Sequence, residues 1–491
     1  MSYFTFLGHP MNVKRCLSFL VVCVFTFFLA LVPTSFYGVN PDTLEPIFTL
    51  TQQRVIAIFV FTAMMWILEV IPTWTTSVVA IVSILLTTSN KGLGFLMSSD
   101  NLGELTNYKS IMAAFADPVI MLFLGGFVLA IAASKVGLDV ILAKALLRPF
   151  GKNPKMVLLG FLFIIGIFSM FMSNTATAAM FLTFLAPVLA TLPQDEKGKI
   201  GLALAIPIAA NLGGMGTPIG TPPNAIALGA LQNAGVDITF MDWMLKMVPY
   251  VVIMLFLAWV LLMFMFPFKT KAIELKIEGT SDAPKRDKII VAITFALTII
   301  LWMGEAIFKV SANIVALIPF AVFTITGVFT NKDLKEIDWS VLWMVAGGFA
   351  LGTALNRTGL ASCLINAVPF ASWNIIVVML AGGFLCYLLS NFISNSAAAN
   401  LIVPILAVVG TALLDDPTAA EGFIAIGGLK TLLVGVAMSA SLAMCLPIST
   451  PPNALAHSTG IINTKQMAVV GLIMGVVGFA LAYLMLIFIG V

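Results

Sequence analysis

The chain has 491 residues, of which 60% are hydrophobic and only 10% charged, with a mean hydropathy of +1.08. Soluble domains carry about 25% charged residues, so the composition excludes a soluble globular protein and predicts a polytopic one embedded in a bilayer. The net charge of +3 is too small to indicate a nucleic-acid partner.

A membrane-crossing helix needs about 20 apolar residues. On that measure spans are predicted near 16–35, 52–71, 73–89, 117–134, 200–232, 246–268, 288–306, 311–329, 339–356, 424–456 and 467–490. The expected fold is therefore all-α and polytopic, with about 11 transmembrane helices. Two further apolar stretches, 156–192 and 374–414, carry a polar triplet at mid-length: "SNT" at 173–175 and "SNS" at 394–396. Both are read as re-entrant helical hairpins that return to their own side. The first span follows a basic start like that of a signal peptide, but no clear A-x-A site follows, so it is expected to stay. The five cysteines (16, 23, 363, 386 and 445) lie in apolar stretches without CxxC spacing, which indicates neither a disulfide frame nor a metal cluster.

The Lys/Arg bias orients such a chain. With the N-terminus in the cytoplasm, seven basic residues fall outward: Arg54, Lys91, Lys109, Lys246, Lys309, Arg357 and Lys430. The other 18 of the 25, from Lys14 through Lys276 to Lys465, fall at or towards the inside. The loop 415–421 holds Asp415, Asp416 and Glu421 but no Lys or Arg, which suits an outer face. A cell (inner) membrane location is expected, with the C-terminus outside.

The chain repeats itself. "GGFVLAIAASKVGL" (125–138) matches "GGFALGTALNRTGL" (347–360), setting Lys135 against Arg357. "PIGTPPNAIA" (218–227) matches "PISTPPNALA" (447–456) at eight of ten positions. Each half runs in one order: a Gly-Gly helix, a Ser-Asn triplet, then a Thr-Pro-Pro-Asn break. Residues 1–50 form an N-terminal segment with the first helix, 51–268 the first repeat, 269–288 a basic cytoplasmic linker and 289–491 the second repeat. Five crossings separate one repeat start from the next, and five is odd, so the repeats are expected to be inverted. Inverted repeats with interrupted helices at corresponding positions are a design of secondary transporters.

The polar breaks carry the chemistry. Pro222-Pro223 and Pro451-Pro452 lack amide donors and push the preceding residue out of helix, so each break frees carbonyls and amides. Irregular backbone survives in hydrocarbon only inside protein or beside a water-filled cavity. Freed carbonyls ligate a hard cation, and helix N-termini attract anions. The triplets add hydroxyls and an Asn that both donates and accepts. No Asp, Glu, His, Lys or Arg occurs within 156–192 or 374–414, which favours Na⁺ over a proton relay. Glu69 and Glu305 are read as anchoring or packing groups, His457 as a helix-end residue, and Gly125-Gly126 and Gly347-Gly348 as close-packing positions.

These paired motifs resemble those of the divalent anion/sodium symporter family, over essentially the whole chain from about residue 50. The resemblance implies a homodimer of eleven-span protomers in the lipid bilayer, with a scaffold and a part that moves as an elevator. By motif position it implies a first Na⁺ site at Ser169, Ser173, Asn174 and the backbone of Gly220. A second would use Ser390, Ser394, Asn395 and the backbone of Ser449. The substrate carboxylates would meet Ser173, Asn174, Thr175, Thr221 and Pro222 from one half. Ser394, Asn395, Ser396, Thr450 and Pro451 would meet them from the other. Ser396 departs from the family's usual Thr, which enlarges one side of the pocket. Family exchangers that run without Na⁺ are expected to carry a cation beside the triplets, and this chain has none there.

The expected function is Na⁺-coupled import of a small divalent anion, a four-carbon dicarboxylate such as succinate, fumarate or malate. The alternatives on the same fold are a sodium-independent dicarboxylate exchanger and a sulfate or citrate carrier. A channel would need a continuous pore. An enzyme is not expected, since the chain has no HExxH or G-x-S-x-G and only two histidines, His9 and His457.

Overall fold

A computed structural model describes residues 4–6, 9–11, 13–39, 45–99, 101–273, 282–367 and 374–490. The middle of the expected linker, with Lys276, lies outside the described residues. Apart from one short antiparallel pair at the start, Phe4–Phe6 with His9–Met11, the described fold is helical. Eight described helices are long and apolar enough to cross a membrane. They become nine if Pro417–Ala425 and Gly428–Ser441, bent by 59° at their junction, count as one. The eight include one arm of each hairpin, Pro154–Phe171 and Asn395–Asp415. The remaining expected spans are short (Thr73–Thr87 and 312–326), broken (200–232), or start in charge, as Lys285–Met303 does with its Lys-Arg-Asp-Lys opening.

The hairpin tips follow from local capping. The first arm of the first hairpin, Pro154–Phe171, ends at Met172, which is extended. Ser173 then caps the second arm, Asn174–Thr191, accepting from Ala176 N at 3.2 Å. The second hairpin repeats the device: Ile375–Ser390, a short turn, and Ser394 accepting from Ala397 N at 3.2 Å before Asn395–Asp415. A Ser at this position satisfies one of the orphan amides of a helix start. Each triplet therefore breaks the helix because its serine starts a new one.

The Thr-Pro-Pro-Asn motifs split two further helices. Gly198–Gly214 stops, and Pro222–Asn233 restarts after Thr221; Gly428–Ser441 stops, and Pro451–Ser458 restarts after Thr450. Proline suits the first helical turn, where its missing amide would have been orphaned anyway. The restarted halves cross over. Pro222–Asn233 packs on the second hairpin's Asn395–Asp415, while Pro451–Ser458 packs on the first hairpin's Asn174–Thr191. The two hairpins and two broken helices thus form one interlocked body.

The Gly-Gly helices join this body to the outer helices. Gly125 of Pro118–Lys135 lies against the Ala316 carbonyl, and Gly347 of Trp339–Arg357 lies against Ser77. These are close backbone approaches, as expected of both pairs. Replacing Gly125 by alanine is expected to lower thermal stability, because its Cβ would overlap the Ala316 carbonyl oxygen. Overpacking of this kind costs about 1–3 kcal/mol. Unchanged melting would show that the helices separate freely.

Two acids hold connections at helix ends. Glu305 accepts from Phe240 N and Ala312 N, each at 3.1 Å, and so anchors two helix starts. Buried Glu196 accepts from Lys269 N, Thr270 N, Thr270 Oγ1 and Gly198 N, tying the hairpin exit to the linker. Burial pushes its carboxyl up, but the Thr270 hydroxyl and these amides outweigh that and hold it at about 2, below its ordinary 4.5. A depressed carboxylate stabilises above its unfolded pKa and loses that contribution as pH falls through the folded one. Wild type is therefore expected to melt above Glu196→Gln by a constant margin over about pH 5–8 that closes as pH falls toward 2. A margin that ignores acid would show that the carboxylate anchors nothing.

Candidate functional site

The first cluster is built where the first hairpin's tip meets the end of Gly198–Gly214. Ser169 is fully buried and donates to the Ala210 carbonyl at 2.6 Å. One end of the Asn174 side chain lies 2.7 Å from Ser169 Oγ, 3.2 Å from Ala210 O and 3.1 Å from Gly220 O. If that end is the nitrogen, its two hydrogens are shared among these three acceptors. If it is the oxygen, four neutral oxygens converge, a set suited to a hard cation. A carboxamide can turn between the two at no change in shape. Gly214 makes room for it, since a Cβ there would stand 2.5 Å from Asn174 Oδ1.

The second cluster has the same plan. Fully buried Ser390 places Oγ 2.8 Å from the Ala440 carbonyl and 2.7 Å from Asn395 Oδ1. A clasp joins hairpin to break in each half. Thr217 Oγ1 donates to Met170 O, and Ser449 Oγ donates to Asn391 O at 2.9 Å. The side chain of Ser449 is thus occupied in holding the loop, which leaves its carbonyl as the group the resemblance invokes.

The breaks are held open by asparagines. Asn224 Nδ2 donates to Gly214 O at 3.0 Å and Thr217 O at 2.7 Å. Asn453 Nδ2 donates to Met444 O at 2.9 Å and Leu446 O at 3.0 Å. Sequence reasoning did not assign these roles, although the Asn of T-P-P-N stands in both copies. A third asparagine was missed entirely. Asn211, next to Ala210, donates to Thr450 Oγ1 and to Asn453 Oδ1, both at 3.1 Å. The first cluster and the second break are therefore one residue apart, and the structure brings the two halves together.

The expected substrate residues divide by exposure. Thr221, Thr450 and Asn395 are buried; Ser173, Asn174, Ser394, Ser396 and Pro222 are half-buried; Thr175 and Pro451 are exposed. The serines of the triplets keep a proton to donate after accepting the capping amide. Thr450 also caps, accepting from Asn453 N at 3.3 Å, whereas Thr221 makes no such bond. Asn211 Oδ1, Asn224 Oδ1 and Ser441 Oγ are buried with no partner among the described residues. His457 sits in the last turn of Pro451–Ser458, with Nε2 3.1 Å from Thr464 Oγ1, as a helix-end residue.

The fold has solved relatives. It matches the YdaH transporter of Alcanivorax borkumensis with a TM-score of 0.57 at 14% identity, covering 96% of this chain and 98% of that one. It matches MtrF of Neisseria gonorrhoeae, one of a class of antimetabolite efflux pumps, with a TM-score of 0.53 at 12% identity, covering 85% of this chain and 95% of that one. By sequence, the chain is 30% identical over 454 residues to the sodium-dependent dicarboxylate transporter SdcS of Staphylococcus saprophyticus, covering 85% of this chain and 82% of that one. SdcS of Staphylococcus aureus (strain USA300) is 29% identical over the same shares. The pattern that defines the citrate transporter family, CitMHS, matches residues 63–421. With that match over most of its length, the chain belongs to the citrate transporter family among the divalent anion/sodium symporters, a family of transporters and not of enzymes.

Proposed function

We propose that the protein imports a small divalent anion, a four-carbon dicarboxylate such as succinate, fumarate or malate, together with Na⁺. The observation that carries this reading is the doubled Ser–Asn–carbonyl cluster. Its donor set is neutral oxygen, the set that interrupted helices offer Na⁺ in secondary transporters. The names of the SdcS relatives support both the ion and the substrate class. One Na⁺ is held by Asn174 Oδ1, Ser169 Oγ, the Gly220 carbonyl and Ser173. A second is held by Ser390, Ser394, Asn395 and the Ser449 carbonyl. The Ala210 carbonyl, within reach of Asn174, joins the first set.

With its oxygen turned to the ion, each Asn turns its amide outward, where a substrate carboxylate accepts it. Ser173, Thr175, Ser394, Ser396 and Thr450 add hydroxyls, and Thr221, Pro222 and Pro451 line the floor. Two Na⁺ offset the charge of the dianion, so the loaded body crosses as a neutral unit. That body is the interlocked pair of hairpins and broken helices, sliding as an elevator against the Gly-Gly helices of a homodimer. The C-terminus faces outward in the cell membrane.

Proteoliposomes given labelled succinate test the reading. Uptake is expected to need an inward Na⁺ gradient and to continue without internal dicarboxylate. Uptake that ignores Na⁺ but requires internal dicarboxylate would replace symport by exchange. Sulfate or citrate uptake with no succinate uptake would replace the substrate.

A further inference from the structure

A cavity of about 350 Å³ lies between Trp339–Arg357, Pro222–Asn233 and the second hairpin's Asn395–Asp415. Its volume is within the range of small-molecule sites, about 300–1,000 Å³. Phe349, Ile226, Val403, Pro404 and Ala407 form its apolar walls. Thr353, Asn356, Asn233 and Arg357 supply donors, and no acidic residue lines it. Val403 lies eight residues beyond Asn395 on one helix, about 12 Å along its axis. Along that helix the Val403 wall stands about two turns past the second cluster.

Arg357 is the distinguishing group. Its repeat counterpart, Lys135, is neutralised: Nζ lies 2.7 Å from Asp333 Oδ2 and 2.8 Å from the Val328 carbonyl. Both residues end a Gly-Gly helix, where a cation favours the helix dipole, so that effect is common to both. Both are exposed, but Arg357 has no hydrogen bond or ion pair among the described residues. A guanidinium presents a rigid fork that matches a carboxylate or phosphate. A chamber with polar and apolar walls in similar measure, one such fork and three neutral donors suits an anion that carries an apolar body.

We propose that this cavity binds an amphiphilic anion, its acidic head on Arg357 and its apolar body between Phe349 and the Val403–Ala407 wall. The occupant lies between the second hairpin and a Gly-Gly helix. The inference does not rest on the sodium or dicarboxylate assignment, and binding reads it without transport.

The test uses the full chain in phosphatidylcholine nanodiscs, with phenylbutyrate as probe and calorimetry as readout. Wild type is expected to bind phenylbutyrate at least about tenfold more tightly than phenylbutanol. Arg357→Gln is expected to lose about that tenfold, and Arg357→Lys to recover part of it. Gly352→Leu is expected to abolish binding by filling the chamber. Gly352 lines it, and a Cβ there would meet nothing within 4 Å, so a side chain at this position starts into open space. Asn174→Ala should leave binding unchanged when Na⁺ and succinate are absent. Equal binding of the alcohol, indifference to both cavity variants, or loss on Asn174→Ala would overturn the site. Should Arg357→Gln melt early, failure of Arg357→Lys to restore binding would overturn it as well. Adding phosphatidylglycerol separates the sources: competition identifies a lipid headgroup as occupant, and no competition a free carboxylate, either of which keeps the site.

Discussion

Asn174→Ala and Asn395→Ala are each expected to reduce Na⁺-driven succinate uptake by at least about a hundredfold. Each removes the oxygen that faces the ion and the amide that faces the substrate. A hydrogen bond to a charged group is worth about 1.5–3 kcal/mol, and two such losses reach that factor. The aspartate variants separate this role from a structural one. Both asparagines stand first in their helices, after a serine cap, and an acid in the first turn is favourable to a helix. Asn174→Asp and Asn395→Asp should therefore still start their helices and fold. They should still fail to transport, because they set a negative charge against a dianion and withdraw its amide donor. Transport by the aspartate variants at the wild-type rate would mean that these side chains only start helices.

The triplets and the Thr-Pro-Pro-Asn breaks were legible because polar groups and prolines are costly in apolar runs, and because each occurs twice. Their consequences for the backbone were equally legible: both hairpin tips and both helix breaks stand where those residues stand. The carbonyls of Ala210 and Ala440 were not. A carbonyl ligand belongs to the backbone and has no side-chain signature, and only the register of the packed helices selects it. Asn211 was hidden for a different reason. Its repeat counterpart is Ser441, which makes no matching bond, so the duplication that exposed the other residues was silent there. The capping by Ser173 and Ser394 shows that a helix-start role and a ligand role are not alternatives. One lone pair serves the amide, and the proton stays available.

The second large effect concerns stability. Asn453→Ala is expected to destabilise the fold by about 2–6 kcal/mol, since it strands the Met444 and Leu446 carbonyls and each buried unpaired group costs about 1–3 kcal/mol. Measured against the 5–15 kcal/mol typical of folded domains, this is a large share. Asn224→Ala strands Gly214 O and Thr217 O and should cost slightly less, because Asn453 also accepts from Asn211 across the halves at 3.1 Å. The chemistry of the amide, rather than its bulk, sets the size. Asn453→Asp keeps the shape but cannot donate when ionised, so it should melt as early as the alanine variant in detergent. Thr450→Val removes the cap, worth about 1 kcal/mol, and one of the two acceptors of Asn211, which keeps Asn453 Oδ1; it gives the scale against which the others are read. If Asn453→Asp melts with wild type, the broken helix is held by packing of its proline turn alone, and the freed carbonyls find other donors.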